Sequence, residues 1–222
     1  MSFEPRHGFP RLHVLGDSCL SIQFEDVMDP VVNAHCIGLA ASLESLALCG
    51  VRDVVPTYNA VTVHFDPVVA DRAALGAELD RLSTRRTMTS GAPSRTIEIP
   101  VSYGGEHGPD LEAVAEFARC SQAEVVRLHM ATRYRVYMLG FLPGFAYMGT
   151  VDPRIAMPRL DTPRVRVAAG SVGIAAAQTG IYPCDSPGGW RIIGWTSAKV
   201  FDATREEPFL LKAGDHVKFV TG

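Results

Sequence analysis

The segment from Tyr134 to Thr196 constrains the fold most, because glycine and proline recur through it among aromatic and β-branched residues. Glycine and proline at that density prevent a regular helix from running through the segment. A disordered linker would not contain so many aromatic and β-branched side chains. The segment therefore predicts short strands joined by tight turns, which is how a surface site is built on a rigid scaffold.

Length and charge narrow the class of protein. The chain has 222 residues, with 21 Lys and Arg against 24 Asp and Glu, which gives a net charge of −3. That length suffices for one large or two small domains with their own cores. The near balance of charge predicts neither nucleic acid nor an anionic membrane surface as a partner.

Cysteines and histidines carry no metal pattern. The five cysteines include no CxxC pair, and the seven histidines never fall at zinc-ligand spacing, so we expect no metal. An odd cysteine count without a signal peptide predicts a cytoplasmic protein. No apolar run approaches the roughly 18 residues that a membrane span needs.

Residues 1–90 predict an α+β domain, a ferredoxin-like sandwich with two helices on one face of a small antiparallel sheet. The strands are expected in LHVLG, CLSIQF, VRDVVP and AVTVHFD. One helix is predicted from Pro30 to about Leu48, closed by Gly50, and a second from its cap Asp71 to about Ser83.

The stretch Thr87–Ser94 is small and polar and contains glycine and proline, so it predicts the boundary to a second domain at 91–222. A strand in RTIEIPVSY and two helices follow, the second opened by a capping box of Ser121 and Glu124. From Arg135 onward, strands and turns predict a mainly β barrel, which closes without exposed edges.

No Walker A loop, no GxGxxG after a strand and no HExxH occurs. The run Ala169–Gly173 resembles a relaxed nucleophile elbow around Ser171, but an elbow requires a following helix. The residues IAAAQTGIYP are too short for one before Gly180 and Pro183. The alternative is a glycine-flanked turn whose backbone N–H groups and hydroxyl hold an anion.

Four arginines lie in the middle of the constraining segment: Arg154, Arg159, Arg164 and Arg166. In MPRLDTPRVRV a proline fixes φ ahead of Arg159 and Arg164, and a stiff backbone suits bidentate binding of carboxylate or phosphate. The alternative is a solvated loop with salt bridges to Asp152 and Asp161. That alternative applies more to Arg154 and Arg166.

The blocks YRVYMLGFLPGFAYMG, PRLDTPR, AGSVGIAAAQTGIYPCDSPGGWRIIG and GDHVKF together resemble one family. It comprises the B subunits of 5-oxoprolinase, also known as allophanate hydrolase subunit 1 and as the sporulation-kinase inhibitor KipI. The early LGDSCLSIQF and IPVSYGG blocks fit the same family, so the resemblance covers nearly the whole chain. It implies an α+β domain followed by a cyclophilin-like β-barrel domain.

The resemblance also implies a function. It implies a cytoplasmic hydrolase subunit, inactive alone, in a hetero-oligomer with a KipA-like partner (the C subunit of 5-oxoprolinase) and a lactam-handling A subunit. The complex would use ATP to open 5-oxoproline to glutamate. Two alternatives stay open: a regulatory protein that binds a sensor histidine kinase, and half of a biotin-dependent carboxyltransferase.

On this interpretation an anion site would form around the arginines. We expect Arg159 and Arg164 to hold the carboxylate or phosphate, and the backbone at Gly170 and Ser171 to stabilise developing negative charge. His129, in the helix before the segment, is either an anion ligand or structural.

The remaining expected roles are orientation and assembly. Gln178 and Tyr182 would orient the amide or an acyl phosphate by hydrogen bonds. Gly188, Gly189 and Trp190 would form a lip at the partner interface, where tryptophan is enriched. The alternative for these three is a purely structural turn, since paired glycines are common in hairpins.

Overall fold

The structure is a computed structural model that describes residues 8–84 and 94–222. The chain divides into two compact units, Met1–Pro93 and Ser94–Gly222. The boundary segment expected at Thr87–Ser94 lies, apart from Ser94, outside the described residues. Within the described part of the chain, no helix is both long and apolar enough to span a bilayer.

The first unit is a four-stranded antiparallel sheet with two helices. Its elements are β1 (Arg11–Leu15), β2 (Cys19–Gln23), α1 (Pro30–Ser45), β3 (Val51–Pro56), β4 (Ala60–Phe65) and α2 (Arg72–Ser83). The strand order is β1-β2-β4-β3. Each helix begins at an aspartate, Asp29 or Asp71, whose side chain accepts two backbone N–H groups of the first turn.

Both helices cover the same face of this sheet. Leu20 and Ile22 of β2 lie opposite Val63 and Val61 of β4, and all four belong to one hydrophobic cluster with residues of α1 and α2. Alternation along each strand turns these side chains to one face, and helical spacing supplies the matching apolar stripe. The predicted two-helix face on an antiparallel sheet is confirmed.

The prediction for the end of α1 is wrong by about one turn. The helix ends at Ser45, and the left-handed residue that follows is Ala47, with φ +45°. Gly50 does not cap the helix. Its φ is +79°, and a Cβ there would lie 2.7 Å from the backbone nitrogen of Ala70, so glycine is required for that close approach.

The second unit contains two α-helices and nine strands among the described residues, with two short 3-10 helices at Gly105–His107 and Pro153–Ile155. The α-helices and strands are β5 (Thr96–Tyr103), α3 (Leu111–Ala118), α4 (Gln122–Ala131), β6 (Arg133–Leu139), β7 (Ala146–Gly149), β8 (Arg164–Val167), β9 (Ser171–Ala175), β10 (Gln178–Ile181), β11 (Ser186–Gly188), β12 (Arg191–Trp195) and β13 (His216–Thr221). The Ser121 hydroxyl accepts the N–H of Glu124, as predicted. The Glu124 carboxylate instead binds Arg127, at 2.6 and 2.7 Å.

Seven of these strands close a barrel in the order β10-β7-β6-β13-β5-β12-β9. The last strand, β13, pairs in parallel with the first, β5, and this pairing joins the two ends of the unit. Buried aliphatic and aromatic residues such as Val136, Met148, Ile174 and Phe219 fill it. The predicted mainly β barrel is confirmed, and it has no free edge among its seven strands.

A two-stranded ribbon accompanies the barrel and positions the candidate site. β8 pairs with β11, with Val167 opposite Ser186 and Arg164 opposite Gly188. The ribbon comes from the Pro- and Gly-rich part of the segment that the sequence identified as site-forming. Strand β11 leads directly into Trp190 and the barrel strand β12, and β8 leads through a short turn into the barrel strand β9.

Candidate functional site

An open cleft of about 260 Å³ lies beside the ribbon. We call it the aromatic cleft. Its lining residues are Phe141, Phe145, Tyr147, Arg159, Pro163, Tyr182, Pro187, Gly188, Gly189 and Trp190. Concave sites with apolar walls and few polar groups are the usual form of small-molecule pockets. The constraining segment contributes every one of these residues.

The walls of the aromatic cleft are tied together through Phe145. The Phe145 ring lies 4.9 Å from the Tyr147 ring, 5.3 Å from Tyr182 and 5.2 Å from Trp190, centroid to centroid. All three pairs are edge-to-face, the arrangement that the ring quadrupoles favour. Phe145 is 1% exposed, so the aromatic wall is anchored in the protein interior.

Tyr182 is buried, and its ring packs against the backbone of Gly188. A Cβ on Gly188 would lie 2.3 Å from the Tyr182 hydroxyl oxygen, so only glycine fits there. Burial raises the pKa of the Tyr182 hydroxyl, which therefore stays protonated at neutral pH. Gly189 has room for a Cβ, because the nearest atom to it, the Leu160 carbonyl oxygen, would lie 3.5 Å away.

Arg159 is the cationic residue of the aromatic cleft. It is exposed, and its guanidinium has no ion-pair or hydrogen-bond partner among residues 8–84 and 94–222. Arg154 is instead paired with Asp152 at 2.8 Å, and Arg166 with Asp185 at 2.6 Å. The Asp152 pairing is the one that the sequence suggested, whereas Arg166 pairs with Asp185 and not with Asp161.

Arg164 does not join Arg159 as an anion ligand. Its Nη2 donates to Asp110 Oδ1 at 2.7 Å, and its Nη1 donates to the Trp190 carbonyl oxygen at 3.4 Å. The Asp110 side chain is 9% exposed and that of Arg164 31%. Of the two arginines expected to hold a carboxylate or phosphate, only Arg159 lines the aromatic cleft, and Arg164 is paired with a carboxylate of the protein.

A second hollow of about 380 Å³ lies on another side of the ribbon. It is lined by Glu106, His107, Pro109, Arg164, Arg166, Val167, Ala168, Ser171, Ile192 and Trp195. Both of its arginines are paired with aspartates. The Trp195 indole stacks on His107 at 5.3 Å and donates to the Ala169 carbonyl oxygen at 2.8 Å.

The expected anion site on the turn at Gly170 is also wrong. The N–H of Ala169 donates to Asp185 Oδ1 at 2.9 Å, that of Gly170 to the Tyr182 carbonyl, and that of Ser171 to the Ala168 carbonyl. All three N–H groups of this turn are therefore already used within the chain. The chain continues from Ser171 as strand β9, so the nucleophile elbow is excluded as well.

His129 is a core residue and not an anion ligand. It is 0% exposed, with Nδ1 2.8 Å from the Tyr103 hydroxyl and Nε2 2.9 Å from the Thr179 hydroxyl. Burial lowers the pKa of His129 to about 3, so the ring is neutral at physiological pH. A neutral, enclosed imidazole offers an anion no charge and no access, and the structural alternative holds.

Gln178 lies away from both hollows. It opens strand β10, where it pairs with Gly149 of β7 and Ala175 of β9. Of the residues expected at the site, the structure thus brings together Arg159, Tyr182, Gly188, Gly189 and Trp190. It separates Ser171 and Gln178 from them.

Sequence reasoning missed the aromatic residues Phe141, Phe145 and Tyr147, and it missed Asp110. The repeated aromatic positions in GFLPGFAYMG were a usable signal of the cleft wall, because bulky rings do not stabilise a Gly- and Pro-rich turn. Asp110 has no such signal, because an aspartate before a helix predicts a cap. In the structure it makes no side-chain cap hydrogen bond to α3.

Within the described residues, no group of three or more His, Cys, Asp or Glu side chains is arranged to hold a metal ion.

Comparison with known proteins adds a family. Residues 10–211 match the model of the carboxyltransferase domain, subdomains C and D. The B subunit of 5-oxoprolinase from Bacillus subtilis is 40% identical over 220 residues, which cover 95% of this chain and 92% of the relative. That of Escherichia coli O157:H7 is 38% identical and covers 95% of both chains.

A solved structure shares the fold. The crystal structure of TTHA0988 is 37% identical, with a TM-score of 0.81 over 92% of this chain. This chain spans only 40% of the TTHA0988 chain.

Proposed function

The chain belongs to the carboxyltransferase subdomain C and D family and, within it, to the B subunits of 5-oxoprolinase, and from this we propose the following function. It is one component of an ATP-dependent 5-oxoprolinase, which hydrolyses the cyclic amide of 5-oxoproline to glutamate. It is inactive alone, and its aromatic cleft binds the substrate's carboxylate.

One observation carries the assignment of the site: Arg159 is an unpaired cation on an aromatic-walled cleft within the described part of the chain. 5-Oxoproline has one carboxylate on a small ring. A guanidinium binds a carboxylate through two parallel hydrogen bonds, and a compact apolar wall accommodates the ring beside it. Tyr182 and Trp190 form that wall, and they orient the ring by contact.

In the part of the chain that the structure describes, the aromatic cleft lacks a general base and a nucleophile, which indicates that other components supply them. It contains a cation and protonated tyrosines, but the described residues that line it include no carboxylate, histidine, cysteine or lysine to act as base or nucleophile. We therefore propose that a KipA-like C subunit and a lactam-handling A subunit complete the site. The naming of the relatives as one lettered subunit of 5-oxoprolinase supports such a complex.

ATP is consumed by the complex in this proposal. The turn at Gly170 would not hold its phosphates, because the backbone N–H groups of residues 169–171 already donate within the chain. We assign the nucleotide to another component. A cytoplasmic location is part of the proposal, supported by five free cysteines.

Reconstitution tests this function. The chain is co-expressed with a KipA-like C subunit and combined with the lactam-handling A subunit, and 5-oxoproline-dependent ATP hydrolysis and glutamate release are measured. Turnover that requires all three components supports the proposal. A stable complex without turnover on 5-oxoproline would overturn it.

The matched variants are Arg159→Ala and Arg154→Ala, both exposed arginines of the same segment. Loss of a charge-assisted hydrogen bond to the carboxylate should raise KM for 5-oxoproline by roughly tenfold to a hundredfold in Arg159→Ala. Arg154→Ala, which breaks a surface pair with Asp152, should leave KM unchanged. Equal effects of the two changes would remove Arg159 from the site.

Carboxyl transfer is the second candidate, and the description of the matching family model favours it. In that case the aromatic cleft would hold a flat ureido ring or a carboxylated acceptor, and the same complex would transfer carboxylate without releasing glutamate. If no complex forms, the regulatory alternative, docking to a sensor histidine kinase, is the one to test.

Two finer fold assignments belong with the proposal. The elements β2-α1-β3-β4-α2 follow the order of the first five elements of a ferredoxin-like domain, and β1 lies where the sixth strand would pair. A ferredoxin-like relation with a permuted strand is consistent with that order. The barrel is proposed to be cyclophilin-like.

A further inference from the structure

Asp110 stands at the junction of three elements of the second unit. Its Oδ2 accepts the N–H of Ile192 at 2.6 Å, and its own N–H donates to the Ile192 carbonyl at 2.9 Å. Its Oδ1 accepts Arg164 Nη2 at 2.7 Å. The residue therefore joins the start of α3 to barrel strand β12 and to ribbon strand β8.

Arg164 links Asp110 to the wall of the aromatic cleft. Its second amino group donates to the carbonyl of Trp190, at 3.4 Å, and its Cα pairs with that of Gly188 across the ribbon. Trp190 and Gly188 are both wall residues of the cleft. Through this ion pair, the buried Asp110 carboxylate is connected to both wall residues, Trp190 and Gly188.

The Asp110 carboxylate does not have the helix-capping role that its position in the sequence suggests. Asp110 directly precedes α3, yet it makes no cap hydrogen bond. It is 6% exposed, and a buried carboxylate is costly unless it is paired and hydrogen-bonded. Here both oxygens are bonded to groups of other elements, so the ion pair sets the position of the ribbon.

We propose that Asp110 and Arg164 are positioning residues, which hold the ribbon so that Gly188 and Trp190 keep the aromatic cleft in its binding geometry. They touch no substrate. The proposal rests on the proposed function for the identity of the ligand, but the fixed position of the wall can be measured without a ligand.

Trp190 reports on the wall directly. The chain has two tryptophans, so Trp195→Phe leaves Trp190 as the single indole fluorophore. In that background, acrylamide quenching of Trp190 is measured for the parent, Asp110→Asn, Arg164→Met and Arg166→Gln. Asparagine keeps an acceptor for the Ile192 N–H and removes the charge that holds Arg164.

Arg166→Gln is the matched control, because Arg166 lies on the same strand and its ion pair is exposed, at 77% for Arg166 and 46% for Asp185. We expect the quenching constant of Trp190 to rise about twofold in Asp110→Asn and Arg164→Met. It should stay unchanged in Arg166→Gln, because an exposed ion pair contributes little to the position of the ribbon. Far-UV circular dichroism confirms that each variant is folded. An unchanged quenching constant in both Asp110→Asn and Arg164→Met would overturn the proposal, as would an equal rise in Arg166→Gln.

Kinetics of the reconstituted complex, with Trp195 intact, give the second readout. Displacement of the wall should raise KM for 5-oxoproline roughly tenfold in Asp110→Asn, with kcat within about twofold. A larger loss in kcat than in KM would place Asp110 in the chemistry and overturn its positioning role. Inactivity of the wild-type complex would contradict the proposed function alone, because the quenching result decides the role of the ion pair by itself.

Discussion

The carboxylate of Asp185 accepts the backbone N–H of Ala169 at 2.9 Å and so takes the anion position of the turn at Gly170. The same carboxylate binds Arg166. Both interactions lower the pKa of Asp185, the N–H of Ala169 contributing most. A turn that looks suited to an external anion is therefore already occupied by a side chain of the protein.

Gly170 is required in this turn for steric reasons, which predicts a large loss of stability in Gly170→Ala. Its φ is +83°, and a Cβ would lie 2.3 Å from the Thr196 carbonyl oxygen and 2.6 Å from Trp195 Nε1. Left-handed strain and overpacking together should lower the free energy of unfolding by about 2–4 kcal/mol. Urea denaturation measures it.

Gly105→Ala is the control for Gly170→Ala. Gly105 has φ +55°, but no atom of the described residues lies within 4 Å of its Cβ position. Its cost should be the left-handed strain alone, about 1–2 kcal/mol. Equal destabilisation by the two substitutions would mean that the contact with Thr196 and Trp195 relaxes freely.

The paired glycines of the aromatic cleft should differ in the same way. Gly188→Ala would push a methyl group into the buried Tyr182 ring, and we expect it to cost about 1–3 kcal/mol of unfolding free energy. Gly189→Ala has room and should change stability by less than about 0.5 kcal/mol. Thermal unfolding of both variants checks this, and a tolerant Gly188→Ala would contradict the packing of the wall.

The cysteines should react with alkylating reagents according to burial. Burial raises the pKa of the Cys36 thiol to about 12, so almost none of it is thiolate at pH 8. Cys49 and Cys184 are exposed. Iodoacetamide at pH 8, followed by peptide mass spectrometry, should label Cys49 and Cys184 and leave Cys36 unmodified until the protein is denatured. Early labelling of Cys36 in the folded protein would show that the first unit opens.

Much of the fold could be predicted from sequence because it depends on local rules. Asp71 and Ser121 cap their helices as expected, and apolar alternation located the strands. The end of α1 could not be predicted, since Gly50 is required by a contact with Ala70 that lies twenty residues away in sequence.

The candidate site was predictable in its position but not in its charges. The density of Gly, Pro and aromatic residues identified the segment, and Arg159 of that segment lines the aromatic cleft. Arg164 was indistinguishable from Arg159 in sequence, because both follow a proline. What separates them is Asp110, 54 residues away in sequence, and no local pattern predicts such a long-range ion pair.

The neutral state of His129 predicts how the stability of the second unit depends on pH. In the unfolded chain an imidazole has a pKa of about 6.5, whereas in the barrel burial lowers the pKa of His129 to about 3. Below pH 6.5 the unfolded state therefore binds a proton that the folded state does not. Stability contributed by this group is complete above pH 6.5 and is lost as the pH falls from 6.5 towards 3.

The loss should reach about 1.4 kcal/mol per pH unit for one such group. The interval from pH 6.5 to about 5 isolates the histidines, because carboxylates with a lowered pKa, such as Glu124 and Asp152, reduce stability only below about pH 5. Burial also lowers the pKa of His216 in the second unit, with Arg133 and Arg135 adding to the effect, and that of His35 in the first unit, so both groups contribute in the same direction. Urea denaturation at several pH values measures the slope, and NMR of the imidazole assigns it. The His129 ring signals should stay constant from pH 8 to 4.5, and a titration of that ring near pH 6.5 would refute its enclosure between Tyr103 and Thr179.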